Sequence, residues 1–221
     1  MKIATWNVER LKHYKDRDKM LQEMQKVSAD ILVLTETDIR LHPDYPQYYQ
    51  TPLLQESYPE FYRDTENRVS VFTRYKSVRL HETYDRFTAV CVELATDRGN
   101  LLVYGTIMGI FGNREKSFKP DLEKQMEDIR RLSADGKNIC VVGDYNLSFS
   151  DNYYYTNYGR ELVLDMFSDC GIRILTRETP ECIDHIAVSE KFIGAAKLSV
   201  IEWNLDKDLS DHKGTLVEIK W

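Results

Sequence analysis

Apolar and polar residues alternate from Ile3 to Val8, which puts Ile3, Thr5 and Asn7 on one face of an expected strand and Ala4, Trp6 and Val8 on the other. Tyr14 to Ser28 carries Met20, Leu21, Met24 and Val27 at helical spacing, and Ile31 to Leu34 is a short buried strand stopping at Thr35-Glu36-Thr37-Asp38. The next stretch, Ile39 to Pro59, is broken by Pro43, Pro46, Pro52 and Pro59 and is expected to be a long surface loop. Two hairpins should follow. Glu60 to Arg63 and Val69 to Thr73 would turn around Asp64 to Asn67, and Phe87 to Ala95 and Leu101 to Ile107 around Asp97-Arg98-Gly99-Asn100.

Pro120 as a first helical residue, with Leu122, Met126, Ile129 and Leu132 at helical spacing, predicts a helix ending before Gly136. A second helix is expected from about Arg160 to Cys170. The wholly apolar run Ile139-Cys140-Val141-Val142 predicts a central strand, and strands at Ile183 to Val188, Leu198 to Trp203 and Thr215 to Ile219 finish the chain. Hairpin strands with segregated helices imply a mixed α/β fold, sheets paired inside and helices outside.

Composition narrows the options. The 221 residues suit a single domain, residues 1–221, with one substantial core. Thirty Lys and Arg against 36 Asp and Glu give a net charge of −6, which argues against broad attraction to a phosphate backbone. Cys91, Cys140, Cys170 and Cys182 are dispersed and lack metal-type spacing, so they are expected as core thiols in a reducing compartment. No apolar stretch approaches the roughly 20 residues of a membrane span. A cytoplasmic monomer is the expectation.

The candidate chemistry stands at strand ends: Asn7, Glu36, Asp144 with Asn146, Asp184, and Asp211-His212. Gathered at one sheet edge, these would bring four carboxylates, two amides and a histidine into one cleft. Such a density of acids repels itself unless a cation sits among them. An all-oxygen set of Asp, Glu and Asn suits Mg²⁺ or Mn²⁺ rather than zinc.

Trp6-Asn7, Thr35-Glu36, Gly143-Asp144-Tyr145-Asn146, Ile183-Asp184-His185-Ile186 and Ser210-Asp211-His212 resemble, in order and approximate spacing, the motifs of the endonuclease/exonuclease/phosphatase superfamily. That superfamily includes DNase I-like nucleases, abasic-site endonucleases, deadenylases, sphingomyelinases and inositol polyphosphate phosphatases. The resemblance implies a four-layer α/β/β/α sandwich of two mixed, largely antiparallel sheets. It also implies Glu36 as the principal metal ligand, with Asn7 and Asp211 close to the ion or to a second one. Asp144 would orient or deprotonate the attacking water, and Asn146 would donate to the scissile phosphate. His212, paired with Asp184, would stabilise charge that grows in the transition state.

One position departs from the pattern. Where many members carry a phosphate-contacting histidine or tyrosine, the chain reads Thr106-Ile107-Met108-Gly109, and Met108 cannot donate a hydrogen bond. Either Asn113 or Arg114 from the Gly109 to Lys116 loop substitutes, or phosphate activation is weaker.

The remaining features admit two readings each. Tyr45, Tyr48 and Tyr49, and Tyr153, Tyr154, Tyr155 and Tyr158, would stack on a base or pack their loops. Lys12, Lys15 and Arg17, with Arg114, Lys116 and Lys213, would form a local basic rim or a solvated face. His185 falls on the strand face opposite Asp184 and is expected to be structural, while His13, His42 and His81 should be solvated. The function implied is hydrolysis of a phosphodiester, with nucleic acid the favoured substrate class. A small phosphorylated metabolite or lipid headgroup is the rival substrate, and a non-catalytic phospholigand- or protein-binding relative the rival class.

Overall fold

The computed structural model describes all of residues 1–221. Twelve strands form two six-stranded sheets. The first contains β1 (Lys2–Asn7), β2 (Ile31–Asp38), β3 (Gln47–Gln50), β4 (Glu66–Thr73), β11 (Lys197–Trp203) and β12 (Gly214–Lys220), in the spatial order β11-β12-β1-β2-β4-β3. The second contains β5 (Lys76–His81), β6 (Ala89–Thr96), β7 (Gly99–Ile107), β8 (Ile139–Asp144), β9 (Ile172–Ile174) and β10 (Asp184–Ser189), ordered β5-β6-β7-β8-β10-β9. Each sheet is antiparallel except for one parallel pair, β1 with β2 and β7 with β8. Helix α1 (Arg17–Val27) covers the first sheet, and α2 (Phe118–Ser133) and α3 (Asn157–Asp169) cover the second. A one-turn helix, α4 (Glu190–Ile193), follows β10. The result is a four-layer α/β/β/α sandwich.

Alternation along the strands builds this layering. Ile3, Ile31, Val33, Val69, Val71, Val103, Cys140, Val142, Ile186 and Val217 point between the sheets into one core. The residues between them in sequence point outward: Ala4, Trp6, Leu32 and Leu34 under α1, and Tyr104, Val141 and Ala187 under α2 and α3. Because β8 is buried on both faces, its apolar run does not alternate. Parity then carries through to the polar strand ends, so Asn7 and Asp144 inherit the inner face set by Thr5 and Val142.

Several expectations need correction. Glu60 to Arg63 is not a strand, because β4 pairs instead with β2 and with β3, which lies inside the expected loop of residues 39–59. The Tyr48 and Tyr49 pattern carried that short strand, hidden by the prolines around it. Strand β5 pairs with β6 and was missed because five of its six residues are exposed. Helix α2 begins at Phe118, so Pro120 lies in its first turn rather than opening it. His81 is not solvated: its Nε2 lies 2.9 Å from Glu93 Oε2.

Gly143 in β8 has a φ of +138°, and a Cβ there would stand 2.1 Å from the Thr106 carbonyl oxygen. Only glycine lets β8 lie this close to β7 immediately before Asp144.

Candidate active site

The strand ends meet where the two sheets share an edge. Asn7 at the end of β1 links them: its Nδ2 donates to Glu36 Oε1 on β2 and to Asp144 Oδ2 on β8, both at 3.1 Å. Its Oδ1 accepts from the Glu9 backbone N–H at 2.9 Å. Asn7 therefore presents nitrogen, not oxygen, to the acids it was expected to join in holding a cation. Glu36 itself sits at φ +47°, in the left-handed region, which breaks the strand alternation and leaves its side chain half-buried at the edge.

Asp144 and Asp184 are registered partners across the antiparallel β8–β10 ladder, so two carboxylates stand side by side on the inner face. Burial and the Asp184 charge, only partly offset by His212, push the Asp144 carboxyl up to about 7. His212 closes the group, its Nδ1 2.6 Å from Asp184 Oδ2. Burial opposes charge on that imidazole, but Asp184 beside it prevails and raises it to about 10. The other Asp184 oxygen, Oδ1, is buried without a partner. Ser210 positions the turn that delivers His212: its Oγ donates to the Asn7 carbonyl at 2.7 Å and accepts the His212 N–H at 3.2 Å.

Asn146 is tied back to the same group, its N–H donating to Asp144 Oδ1 at 2.8 Å. Its Nδ2 reaches the carbonyls of Met108 (3.0 Å) and Gly109 (3.2 Å), so donation to a phosphate would require the amide to leave these oxygens. Asn113 is buried and donates to the Asn146 carbonyl at 2.7 Å, a contact that braces the loop. Arg114 beside it is exposed. Tyr153 stands farther out, lining a cavity of about 310 Å³ with Asp184, Asp211 and His212, and its hydroxyl accepts from Lys207 Nζ at 3.2 Å.

Asp211 extends into solvent, its side chain 63% exposed, and its N–H donates to Glu9 Oε2 at 3.3 Å. His185 has the structural place expected of it. It is wholly buried, lies 2.9 Å from both Thr176 Oγ1 and the Leu147 carbonyl, and is held down to about 4 by burial.

The gap assigned to Met108 lies one residue earlier. Met108 packs outward in the core beneath α2, and Ile107, the registered partner of Asp144, is the residue at the end of β7 that faces the site. The basic rim is also smaller than expected, because Lys12 pairs with Glu9 (2.6 Å) and Lys213 with Glu202 (2.5 Å). Tyr45 serves packing: its hydroxyl donates to the Ala29 carbonyl. Two residues near Glu36 were not singled out from sequence, Arg10 and Arg68, which line a second cavity with it. For Arg68 the available signal was its place in Asn67-Arg68-Val69, the strand partner of Thr35-Glu36-Thr37.

No three His, Cys, Asp or Glu side chains converge in a ready-made metal cage. The donor chemistry nevertheless fits Mg²⁺ or Mn²⁺, which bind through one or two carboxylates and keep several waters. Glu36 Oε1 and Asp144 Oδ2 both rest on the one Asn7 amide, and Asp184 Oδ1 beside them is buried without a partner, so this edge holds acceptor oxygens that the protein's own donors leave unmet.

Comparisons with known proteins agree with this architecture. The fold resembles that of the 3′ phosphatase NExo from Neisseria, solved bound to a product DNA hairpin, with a TM-score of 0.73, 19% identity and full coverage of both chains. It also resembles an AP endonuclease from Archaeoglobus fulgidus, with a TM-score of 0.76, 12% identity and full coverage of both chains. A humanized D. rerio TDP2 gives a TM-score of 0.69 at 12% identity, covering 100% of this chain and 99% of that one. No curated protein sequence matches this chain. The family profile described as "Endonuclease/Exonuclease/phosphatase family" matches residues 4–212, nearly the whole sandwich and every strand end described above, and the chain belongs to that family.

Proposed function

We propose that this protein is a Mg²⁺- or Mn²⁺-dependent phosphoesterase that hydrolyses a phosphodiester, with nucleic acid as its substrate class. The observation that carries this reading is the Asp144–Asp184–His212 group: two carboxylates registered side by side on β8 and β10 and an imidazole 2.6 Å from one of them, with burial raising the Asp144 carboxyl and, against burial, Asp184 raising the imidazole. A base and a cationic donor with separated pKa values are what hydrolysis of an anionic ester by water requires.

Asp144, once deprotonated, accepts a proton from water and aims that water at phosphorus. His212, fixed by Asp184, donates from Nε2 to a phosphate oxygen as negative charge accumulates there. Asn146 supplies a further donor when its amide leaves the Met108 and Gly109 carbonyls. Asn7 keeps Asp144 and Glu36 in a fixed relation. A divalent cation held by Glu36, with Asp211 at its outer side, would neutralise the phosphate and the departing alkoxide. Tyr153, in the cavity beside Asp184 and His212, and the exposed Arg114 would meet the substrate beyond the scissile bond. No helix is long and apolar enough to cross a membrane, and the four cysteines are all free; a single-domain cytoplasmic monomer is the working form we propose.

A compact phosphorylated metabolite is a second reading, favoured by the net charge of −6 and by the ion-paired state of Lys12 and Lys213. Turnover of single-stranded and abasic oligonucleotides, alongside bis-p-nitrophenyl phosphate, with and without Mn²⁺, separates the two. Cleavage of the oligonucleotides is expected. Turnover of the small diester alone would favour the metabolite, and inertness toward all three in a folded protein would overturn the enzyme reading.

A further inference from the structure

Beside Glu36 lies a cavity of about 560 Å³, within the roughly 300–1,000 Å³ typical of small-ligand sites. Its wall is largely apolar and aromatic, including Tyr58 and Ile107, and its rim carries Phe61 and Phe111, which are 74% and 61% exposed. Two large aromatic rings that line a concavity yet stand mostly in water offer faces on which a flat ring can stack.

Arg68 supplies the polar element. It is only 3% exposed, yet it pairs with no carboxylate. Nη1 donates to Thr88 Oγ1 at 3.3 Å, and Nη2 is buried with no partner at all. The other guanidinium in the cavity, Arg10, is matched by Glu66 at 2.9 Å. Glu36 holds the position opposite Arg68 in the β2–β4 ladder, between the registered pairs Thr35–Val69 and Thr37–Asn67, but turns its carboxylate to Asn7. The Arg68 guanidinium lies 5.6 Å from the Tyr58 ring centroid and has no carboxylate beside it, so an anion that brings two or more acceptor oxygens would complete its pairing.

We propose that this cavity is a nucleotide subsite: the base of a nucleoside phosphate stacks on Phe61 and Phe111, and the Arg68 guanidinium donates to its phosphate oxygens. This rests on the phosphoesterase reading in so far as Glu36 borders both sites, and it identifies the part of the substrate that the hydrolytic group does not touch. The apolar Ile107 serves this subsite as wall, and Arg68 enters it from β4 of the neighbouring sheet.

The test is calorimetric titration in excess EDTA, where binding is read without turnover, using deoxyadenosine monophosphate, ribose 5-phosphate and phenyl phosphate. Wild-type protein should bind the nucleotide at least about tenfold more tightly than either of the others, the worth of one stacked base. Arg68→Met should weaken nucleotide binding by about tenfold or more, with partial recovery in Arg68→Lys. Phe61→Ala combined with Phe111→Ala, both on the surface, should weaken the nucleotide by about fivefold or more and leave ribose 5-phosphate unchanged. Equal affinity for the three ligands would overturn the proposal, as would wild-type affinity in a folded Arg68→Met. If Arg68→Met does not fold, the double phenylalanine variant decides by the same comparison. A protein that binds the nucleotide as expected but hydrolyses no phosphoester would retire the hydrolytic reading and leave the subsite standing.

Discussion

His212 Nδ1 and Asp184 Oδ2 lie 2.6 Å apart, joining the turn before β12 to the start of β10 and so one sheet to the other. The pair fixes which ring nitrogen faces outward. Asp184→Asn should leave the fold intact while removing the charge that keeps the imidazole protonated, and His212→Ala should remove the donor itself. Both variants are expected to lose roughly 100- to 10,000-fold in kcat, with circular dichroism unchanged. Wild-type kcat in either would remove His212 from the mechanism.

The two pKa shifts predict a pH profile. Turnover needs Asp144 unprotonated and His212 protonated, so kcat/KM should rise through about 7 and fall through about 10. A cation at Glu36 favours the ionised Asp144, so saturating Mn²⁺ should carry the acidic limb below 7. His212→Ala should abolish the alkaline limb. A profile flat from pH 5 to 11 would contradict both assignments.

Stability in EDTA should depend on the same groups. Asp144 in the folded state keeps a proton that the unfolded chain releases near 3.8, so this contribution weakens as pH rises from about 4 to about 7. The His212 contribution is fully present below about 6.5 and is lost as pH rises through about 10. Asp144→Asn should therefore flatten the fall in Tm on the acidic side and move the alkaline one slightly to lower pH, since Asp184 rather than Asp144 is the main charge raising His212. Thermal melts across pH in the two proteins give the comparison.

Chelation offers a separate check. EDTA should abolish turnover without unfolding the protein, because the site is held by Asn7 and the strand register rather than by an ion. Mn²⁺ should raise Tm in the wild type and have little effect on Glu36→Gln. Full activity in EDTA would refute metal dependence.

Gly143→Ala tests the frame. A methyl group 2.1 Å from the Thr106 carbonyl, at a φ that side chains rarely adopt, should cost at least about 3 kcal/mol, roughly 6–12 °C in Tm. A stable Gly143→Ala would mean that β7 and β8 can move apart more easily than their register implies.

Legibility from sequence followed burial. Strands buried on one or both faces, such as β1, β8 and β10, carried their own signal, and the chemistry at their ends came with them because parity fixes which way a strand-end side chain points. The exposed edge strand β5 and the proline-flanked β3 lacked an apolar pattern, since their pairing rests on backbone groups that composition does not record. Met108 was assigned to the site because one residue of offset in β7 exchanges the inner for the outer face. Arg68 escaped notice for a different reason. A single arginine within an apolar strand reads as a surface residue until the structure shows it buried and unmatched.

The neighbours Asp184 and His185 point to opposite faces of β10, one into the charged cleft, the other into the core, where burial disfavours its charged form. A slip of this strand by a single residue would drive a carboxylate into the outer core and leave an imidazole facing Asp144. Such a chain would lose its apolar packing and its chemistry in one event. Misthreading of β10 is thus penalised by the same free energy that assembles the protein, and folding itself proofreads the reacting groups.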